Sequence, residues 1–336
     1  MVNATSEDWK IFETDDGFFE TDALSVVGED LICIAASFMG TARIEYTRLY
    51  KFDHGVWTAE DMDERIISAV NLRGRYDITA DEAINMLFVT YEGRVFTVGA
   101  ENNQYFLQDK ITINNDMLVS FMNQKIIDDK LFLFGLDLIV EYSHGQWQNI
   151  SDKLYRWTLD DQSYSFDDIE VIDGEYFLYG GDGDRLLLLM RPVGKKNWVD
   201  LNLQFEMPNS RQNMVHRDDF LYIFSGKNIG KMDLKTKEIT YSRFPPIRAK
   251  FPPIWADNVV FYNGSFLGIN WRDIFNLSDN NRSILPDYEQ KWNKNISFFT
   301  KYEIFNDILY VFGVRGSLIK INKDKVEIFE MPNLIE

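Results

Sequence analysis

The chain alternates between short apolar runs and tight polar turns. In DKLFLFGLDLIVEYSHGQW, residues 129–147, Leu131 to Phe134 are apolar and Gly135 stops the run. A second run spans Leu138 to Tyr142, His144-Gly145 ends it, and Trp147 opens a third. Apolar runs this short, bounded by Asp, Asn and Gly, are the signal of strands joined by hairpins rather than of helices.

The same arrangement recurs along the sequence. An acidic or Asn/Gly turn precedes LICIA at Glu29-Asp30, RVFTVG at Glu92-Gly93 and KLFLFG at Asp128-Asp129. It returns before EYFLYG at Asp173-Gly174, FLYIFSG at Asp218-Asp219, SFLGIN at Asn263-Gly264 and ILYVFG at Asn306-Asp307. The second turn residues stand at 30, 93, 129, 174, 219, 264 and 307, so three successive gaps equal 45 residues. Each turn follows another apolar run, such as VVFY or IEVI, and Asn-Gly and Asp-Gly tolerate the positive φ that two-residue hairpins require. A third strand and then a fourth follow, the fourth often opening on Trp or a β-branched residue, as in HGVW, HGQW, GKKNW, KTKEI and KDKVEI.

Four short antiparallel strands in roughly 45 residues make one blade of a β-propeller. The expected fold is therefore all-β, a seven-bladed β-propeller of four-stranded antiparallel blades. It occupies residues 1–336 as a single domain, with a longer insertion at about 58–83. In that insertion Thr58 is positioned to cap a short helix packed down by Ile66 and Ile67, or the segment is a long loop with an extra strand. Residues 129–147 become the second and third strands of the third blade with the start of its fourth.

The pattern resembles the kelch class of propeller. Tyr179-Gly180-Gly181 followed by Trp198 is similar to the double glycine and later tryptophan of kelch repeats, whereas the other copies lack the pair. Asp53-His54-Gly55-Val56-Trp57 looks like an Asp-box turn of sialidase-type propellers shortened by one residue. The resemblance implies architecture and no functional residue.

Charge narrows the partners. With 53 acidic against 35 basic residues the net charge is −18, a surface that repels phosphate backbones and anionic lipid. Neither nucleic acid nor a membrane is expected as a partner; a protein with a basic surface is. Cys33 is the single cysteine, so an intrachain disulfide is excluded and a reducing compartment is permitted. The start, MVNATSEDWK, lacks the features of a secretory signal, and the most apolar stretch, Leu186 to Met190, is too short to span a bilayer. The expected location is cytoplasmic.

Long connections break the period at 151–168, at 244–255 with two Pro-Pro pairs nearby, and at 286–295. In a propeller these links from an outer strand to the next inner strand share a face with the turns between second and third strands, and elaborated loops on a rigid scaffold are where binding resides. The candidate binding residues are Tyr155, Trp157, Asp160, Asp161, Tyr164, Trp255, Trp271, Tyr288 and Trp292. Their aromatics bury large area while keeping a polar tip, and their carboxylates steer a cationic partner.

Catalytic chemistry has thinner support. His54, His144 and His216 show no metal-ligand spacing, Cys33 sits in an apolar strand, and no Gly-x-Ser-x-Gly elbow occurs, so no catalytic residue, metal or cofactor is assigned. Asp182 and Asp184 on the Gly180–Asp184 turn are two carboxylates of the kind calcium uses, and also what any glycine-rich turn uses. The function expected is a non-catalytic protein-binding propeller, most specifically an immunity or antitoxin-type protein that inhibits a cognate toxin or enzyme. The alternative is a glycoside hydrolase or polysaccharide lyase acting through carboxylates such as Asp160, Asp161, Asp167, Asp168 and Asp287.

Overall fold

The computed structural model describes residues 13–330 apart from 15–16, 29–30, 41–43, 54–55, 63–64, 73–83, 91–92, 100–104, 111–120, 136–137, 152–164, 182–184, 206–211, 227, 244–255, 257, 271–272, 280–281, 286–298, 314–316 and 324. All regular structure among these residues is antiparallel strand.

The first sheet holds β1 (Glu13–Thr14), β2 (Gly17–Gly28), β3 (Leu31–Gly40), β4 (Ile44–Asp53) and β5 (Val56–Met62). The second holds β6 (Ile66–Asn71), β7 (Ile84–Thr90), β8 (Arg94–Gly99) and β9 (Tyr105–Lys110), and the third β10 (Phe121–Ile127), β11 (Lys130–Gly135), β12 (Ile139–Ser143) and β13 (Gln146–Asn149). The fourth is β14 (Ser165–Ile172), β15 (Glu175–Gly181), β16 (Leu186–Arg191) and β17 (Val199–Asp200). The fifth is β18 (Gln212–Arg217), β19 (Phe220–Ser225), β20 (Asn228–Asp233) and β21 (Ile239–Arg243). Then come β22 (Asn258–Tyr262), β23 (Ser265–Ile269), β24 (Ile274–Asn276) and β25 (Arg282–Ser283), and finally β26 (Phe299–Phe305), β27 (Ile308–Gly313), β28 (Ser317–Asn322) and β29 (Lys325–Glu330). Six sheets are four-stranded and the first has five strands; in every sheet the strands pair in chain order.

The turns obey the chemistry read from sequence. Asp128 and Asp129 have φ of 47° and 55°, Asp173 and Gly174 51° and 79°, and Asn263 and Gly264 47° and 78°. Two consecutive left-handed residues are what a tight hairpin between twisted strands demands, and Asp, Asn and Gly meet that demand at least cost. Residues 129–147 form β11, β12 and the start of β13, as the pattern predicts.

Two expectations change. Thr58 starts no helix; it lies in β5 opposite Lys51, and Ile66 and Ile67 open β6, every residue of which is buried. Gly93 does not join a first strand to a second; it joins β7 to β8, the second and third strands of their sheet. The marker was thus displaced by one strand, which is why the spacing around it was irregular. Both slips concern β6: the acidic run from Glu60 to Glu64 before it reads as a helix start, and Gly93 supplies the turn signal one strand later.

By chain contacts the molecule comprises two compact units, residues 1–118 with 271–273 and 284–336, and residues 119–270 with 274–283. Within the second unit, neighbouring sheets pack face to face. Phe132, Phe134 and Ile139 meet Phe166, Leu178, Leu187, Leu189 and Trp198. On the other side of the same fourth sheet, Phe177, Tyr179, Leu186 and Leu188 meet Met214, Leu221, Ile223 and Met232. Successive residues of β15 and β16 therefore serve opposite neighbours, following the two-residue period of a strand. With both faces covered there is no polar face to alternate with, so the second and third strands read as unbroken apolar runs. Each such side chain contributes about 1.5–3 kcal/mol of burial.

The double glycine has a steric explanation in this packing. A Cβ on Gly180 would fall onto the Ser165 carbonyl oxygen and Phe166, and one on Gly181 would press on the Arg185 carbonyl. Here β15 runs tight against β14, which carries a bulge between Phe166 and Asp168.

Candidate binding face and the inner-strand seams

Because strands pair in chain order, each sheet has two unlike ends. One end carries the turns from first to second and from third to fourth strand, such as Asp128-Asp129 and His144-Gly145 of the third sheet. The other end carries the connections from second to third strand and the exits to the next sheet. Tyr155, Trp157, Asp160, Asp161 and Tyr164 belong to the exit between β13 and β14, and Trp255 to the exit between β21 and β22. Trp271 belongs to the link between β23 and β24, while Tyr288 and Trp292 belong to the exit after β25. All nine predicted binding residues thus lie on connections of this second kind, and all nine lie outside the described residues. Asp182 and Asp184 lie outside them too.

The exit before β14 is shorter than its sequence span suggested. Residues 165–168 are strand, and Asp167 and Asp168, read as loop carboxylates, belong to the first strand of the fourth sheet. Asp168 is nearly buried and fully engaged. Its Oδ1 accepts the backbone N–H of Ile169 and the Lys125 ammonium, both at 2.8 Å. Its Oδ2 accepts the Met214 N–H at 2.6 Å and the Asn213 amide at 3.4 Å.

This carboxylate is one member of a series that the sequence reading missed. Asn123, Asp168, Asn213 and Asn258 stand 45 residues apart, opposite Phe134, Tyr179, Phe224 and Ile269 of their second strands. Asn123 donates to the carbonyl of Phe166 at 3.2 Å, and the Asn213 Oδ1 accepts the Val259 N–H at 2.8 Å. The physical need is plain. The first strand of each of these sheets is an edge strand whose outward N–H and C=O groups have no ladder partner, and a buried backbone group left unpaired is costly. A polar side chain reaching from the preceding sheet satisfies it. Bulges at Phe121/Asn123 and Phe166/Asp168 re-aim the chain at that point. The signal was in the sequence, as a 45-residue recurrence of Asn or Asp just before each apolar hairpin.

In the first unit the same need is met from other register positions. The Glu303 Oε2 of β26 accepts the Val26 N–H of β2 at 2.8 Å, and the Asn71 amide of β6 donates to the Val26 carbonyl at 3.0 Å.

At the short-turn end the charged groups tie strands together. Glu141, buried in β12, accepts from the Lys130 ammonium at 2.7 Å and from the Tyr176 hydroxyl at 3.0 Å. Burial pulls the Lys130 ammonium down, but Glu141 and Tyr176 outweigh it and leave Lys130 above its ordinary value. Burial and the Glu141 charge push the Tyr176 hydroxyl up. The Arg191 guanidinium lies 4.1 Å from the Tyr176 ring centre, a cation–π contact that closes the cluster. Lys237 pairs with Glu175 across the fourth and fifth sheets. Two histidines take turn roles: His144 holds a φ of 51°, and the His216 Nε2 sits 2.9 Å from the Asp218 carbonyl oxygen, while His54 lies outside the described residues. Among the described residues no three His, Cys, Asp or Glu side chains gather in a way that could hold a metal ion.

No protein-family model matches the chain, and no curated protein matches it by sequence. Solved structures do. The WD40 β-propeller domain of Doa1 is 12% identical, with the match covering 95% of this chain and 94% of that one at a TM-score of 0.53. The Dos1 propeller is 10% identical over 94% and 84% of the two chains, also at 0.53. The extracellular domain of BT4673 from B. thetaiotaomicron is 11% identical over 90% of this chain at 0.57, and this chain spans 38% of that longer one. At such identities the likeness is of fold, and the fold is an all-β propeller of four-stranded antiparallel blades.

Proposed function

We propose that the protein is a non-catalytic propeller of seven blades over residues 1–336, kelch-like in layout, with the five-stranded sheet as one blade. It binds a protein partner with a basic surface in the cytoplasm, in the manner of an immunity protein that occupies a cognate toxin or enzyme. The observation that carries this reading is topological: every long exit leaves the same end of its sheet, and those exits hold the Trp, Tyr and Asp residues that make interface anchors. The net charge of −18 supplies attraction to a cationic partner and repels nucleic acid and anionic membranes. The short-turn end supports the assignment by contrast, since its Asp and Asn residues answer to turn geometry and its lysines are used in pairs such as Lys237–Glu175.

The test is a stoichiometric partner and its response to mutation. Trp157→Ala or Trp292→Ala is expected to weaken binding by about 2 kcal/mol or more with little loss of thermal stability. Charge reversal at Asp160 and Asp161 slows association, and the effect shrinks as salt rises. Unchanged affinity in these variants, together with loss of binding on substituting Lys235 to Lys237, overturns the choice of face.

A further inference from the structure

The seam between the third, fourth and fifth sheets holds two carboxylates and one ammonium. Asp168 and Glu170 are two residues apart on β14 and point the same way. Lys125 on β10 reaches both, at 2.8 Å and 2.6 Å. The two carboxylates are little exposed, with side chains 8% and 12% accessible. Their duties are unequal. Asp168 accepts from four donors, two of them backbone N–H groups, so its negative charge is well solvated by the protein. Among the described residues, the donor to Glu170 is Lys125, through Oε1.

The surroundings offer Glu170 little else. From β10 it meets Lys125, and from its own strand Asp168. From β18 it meets His216, whose cationic form favours the ionised carboxylate. Its register partner on β15 is Phe177. The charged residues of the other strands packed there are committed elsewhere: Lys130 of β11 to Glu141, Glu175 of β15 to Lys237, and Arg217 of β18 to Asp218.

We propose that Asp168 and Glu170 share this one counter-charge by keeping a single proton between them, carried on Glu170, and that the β10–β14–β18 seam is thereby a proton-responsive latch. Two ionised carboxylates against one ammonium would leave an uncompensated negative charge in a desolvated slot, which a carboxyl group avoids by taking up a proton. Burial pushes Glu170 up, the Asp168 charge adds to it, and Lys125 opposes without prevailing. The sign follows from linkage. Because the folded protein binds this proton more tightly than the unfolded chain, the stabilisation is complete below the ordinary glutamate value. It is lost as pH rises from there through the folded value. Ionising Glu170 makes it compete for Lys125, which weakens the hold of Lys125 on Asp168 and so the cap on the Met214 N–H.

The experiment has two parts on the full chain. With 13C-labelled glutamate, infrared spectra of the wild type are expected to show a protonated glutamate carboxyl band that persists above the range in which ordinary glutamates ionise and disappears on further alkalinisation. In Glu170→Gln that band is absent, and the unfolding equilibrium loses the part of its pH dependence that amounts to tenfold per pH unit within the window. A wild-type spectrum in which every glutamate ionises in the ordinary range overturns the proposal without any variant. So does a Glu170→Gln protein whose stability keeps the wild-type slope with pH.

Discussion

Two seams of this protein meet one requirement in two ways. Within the second unit, Asn123, Asp168 and Asn213 act at a single register position and hand the cap from sheet to sheet at 45-residue intervals. Within the first unit, Val26 of β2 is gripped from both sides, its N–H by Glu303 and its carbonyl by Asn71. Both devices satisfy backbone groups that no neighbouring strand of their own sheet pairs. The first uses short side chains beside a bulge; the second uses a longer carboxylate two residues nearer the hairpin turn. Edge satisfaction is fixed by physics, whereas the residue that supplies it is free to move along the strand, so a repeat can be regular in structure while irregular in sequence.

The sharpest way to break the comparison is at Asp168. Replacing it with Ala removes an acceptor used by two backbone N–H groups, one ammonium and one amide; Lys125 keeps Glu170, but the Ile169 and Met214 N–H groups lose their acceptor in a buried seam. Each buried donor left without an acceptor costs about 1–3 kcal/mol. Urea unfolding is expected to report a loss of at least that size with an unchanged slope. Asp168→Asn keeps one carbonyl acceptor and should lose less. A cost near zero for Asp168→Ala would mean that water replaces the carboxylate and that the seam is wet.

Glu303→Ala is the matching test in the first unit and is expected to cost less, about 1–3 kcal/mol, because it leaves the Val26 N–H unpaired. Hydrogen exchange separates the seams: the Val26 amide should lose protection in Glu303→Ala while the Met214 amide keeps it, with the reverse in Asp168→Ala. Simultaneous loss of both in either variant would show that the two units open as one cooperative body and that the seams are not independent.

Much of the architecture was legible in the hairpin turns. Positive φ at Asp173-Gly174 or Asn263-Gly264 restricts the residues a turn accepts, and that restriction writes a visible period. The third to sixth sheets were read correctly for this reason. The second was not, because the acidic run before β6 reads as a helix start, while Gly93 offered a plausible turn one strand too late. The seam residues were overlooked for a different reason. Asn123 and Asp168 look like ordinary turn or loop residues until a bulge and a neighbouring sheet give them a partner more than forty residues away. The candidate binding residues were chosen by chemical type on long exits, and strand order agrees on which end of each sheet those exits leave. It does not decide which of the nine carries binding energy, because that depends on which aromatics pack inward.

The smallest effect expected is at a surface turn, where neither seam is involved. The Asp233 Oδ1 accepts the backbone N–H groups of Lys235 at 2.8 Å and Thr236 at 2.9 Å, shaping the turn from β20 to β21. Those N–H groups hold the Asp233 carboxyl below its ordinary value. A carboxyl lowered on folding contributes stability that is present above its unfolded value and is lost as pH falls through the folded one. Asp233→Ala should therefore lower the thermal midpoint slightly at neutral pH, and the gap from wild type should close on the acid side, below the usual aspartate range. Glu170 predicts the opposite sign, a loss of stability on going upward in pH, so the two variants measured across one pH series separate the turn from the seam. If Asp233→Ala and wild type stay equally far apart at every pH, the contribution of this residue is to turn propensity, through the short polar side chain that favours such turns in either charge state, and the charge on its carboxylate plays no part.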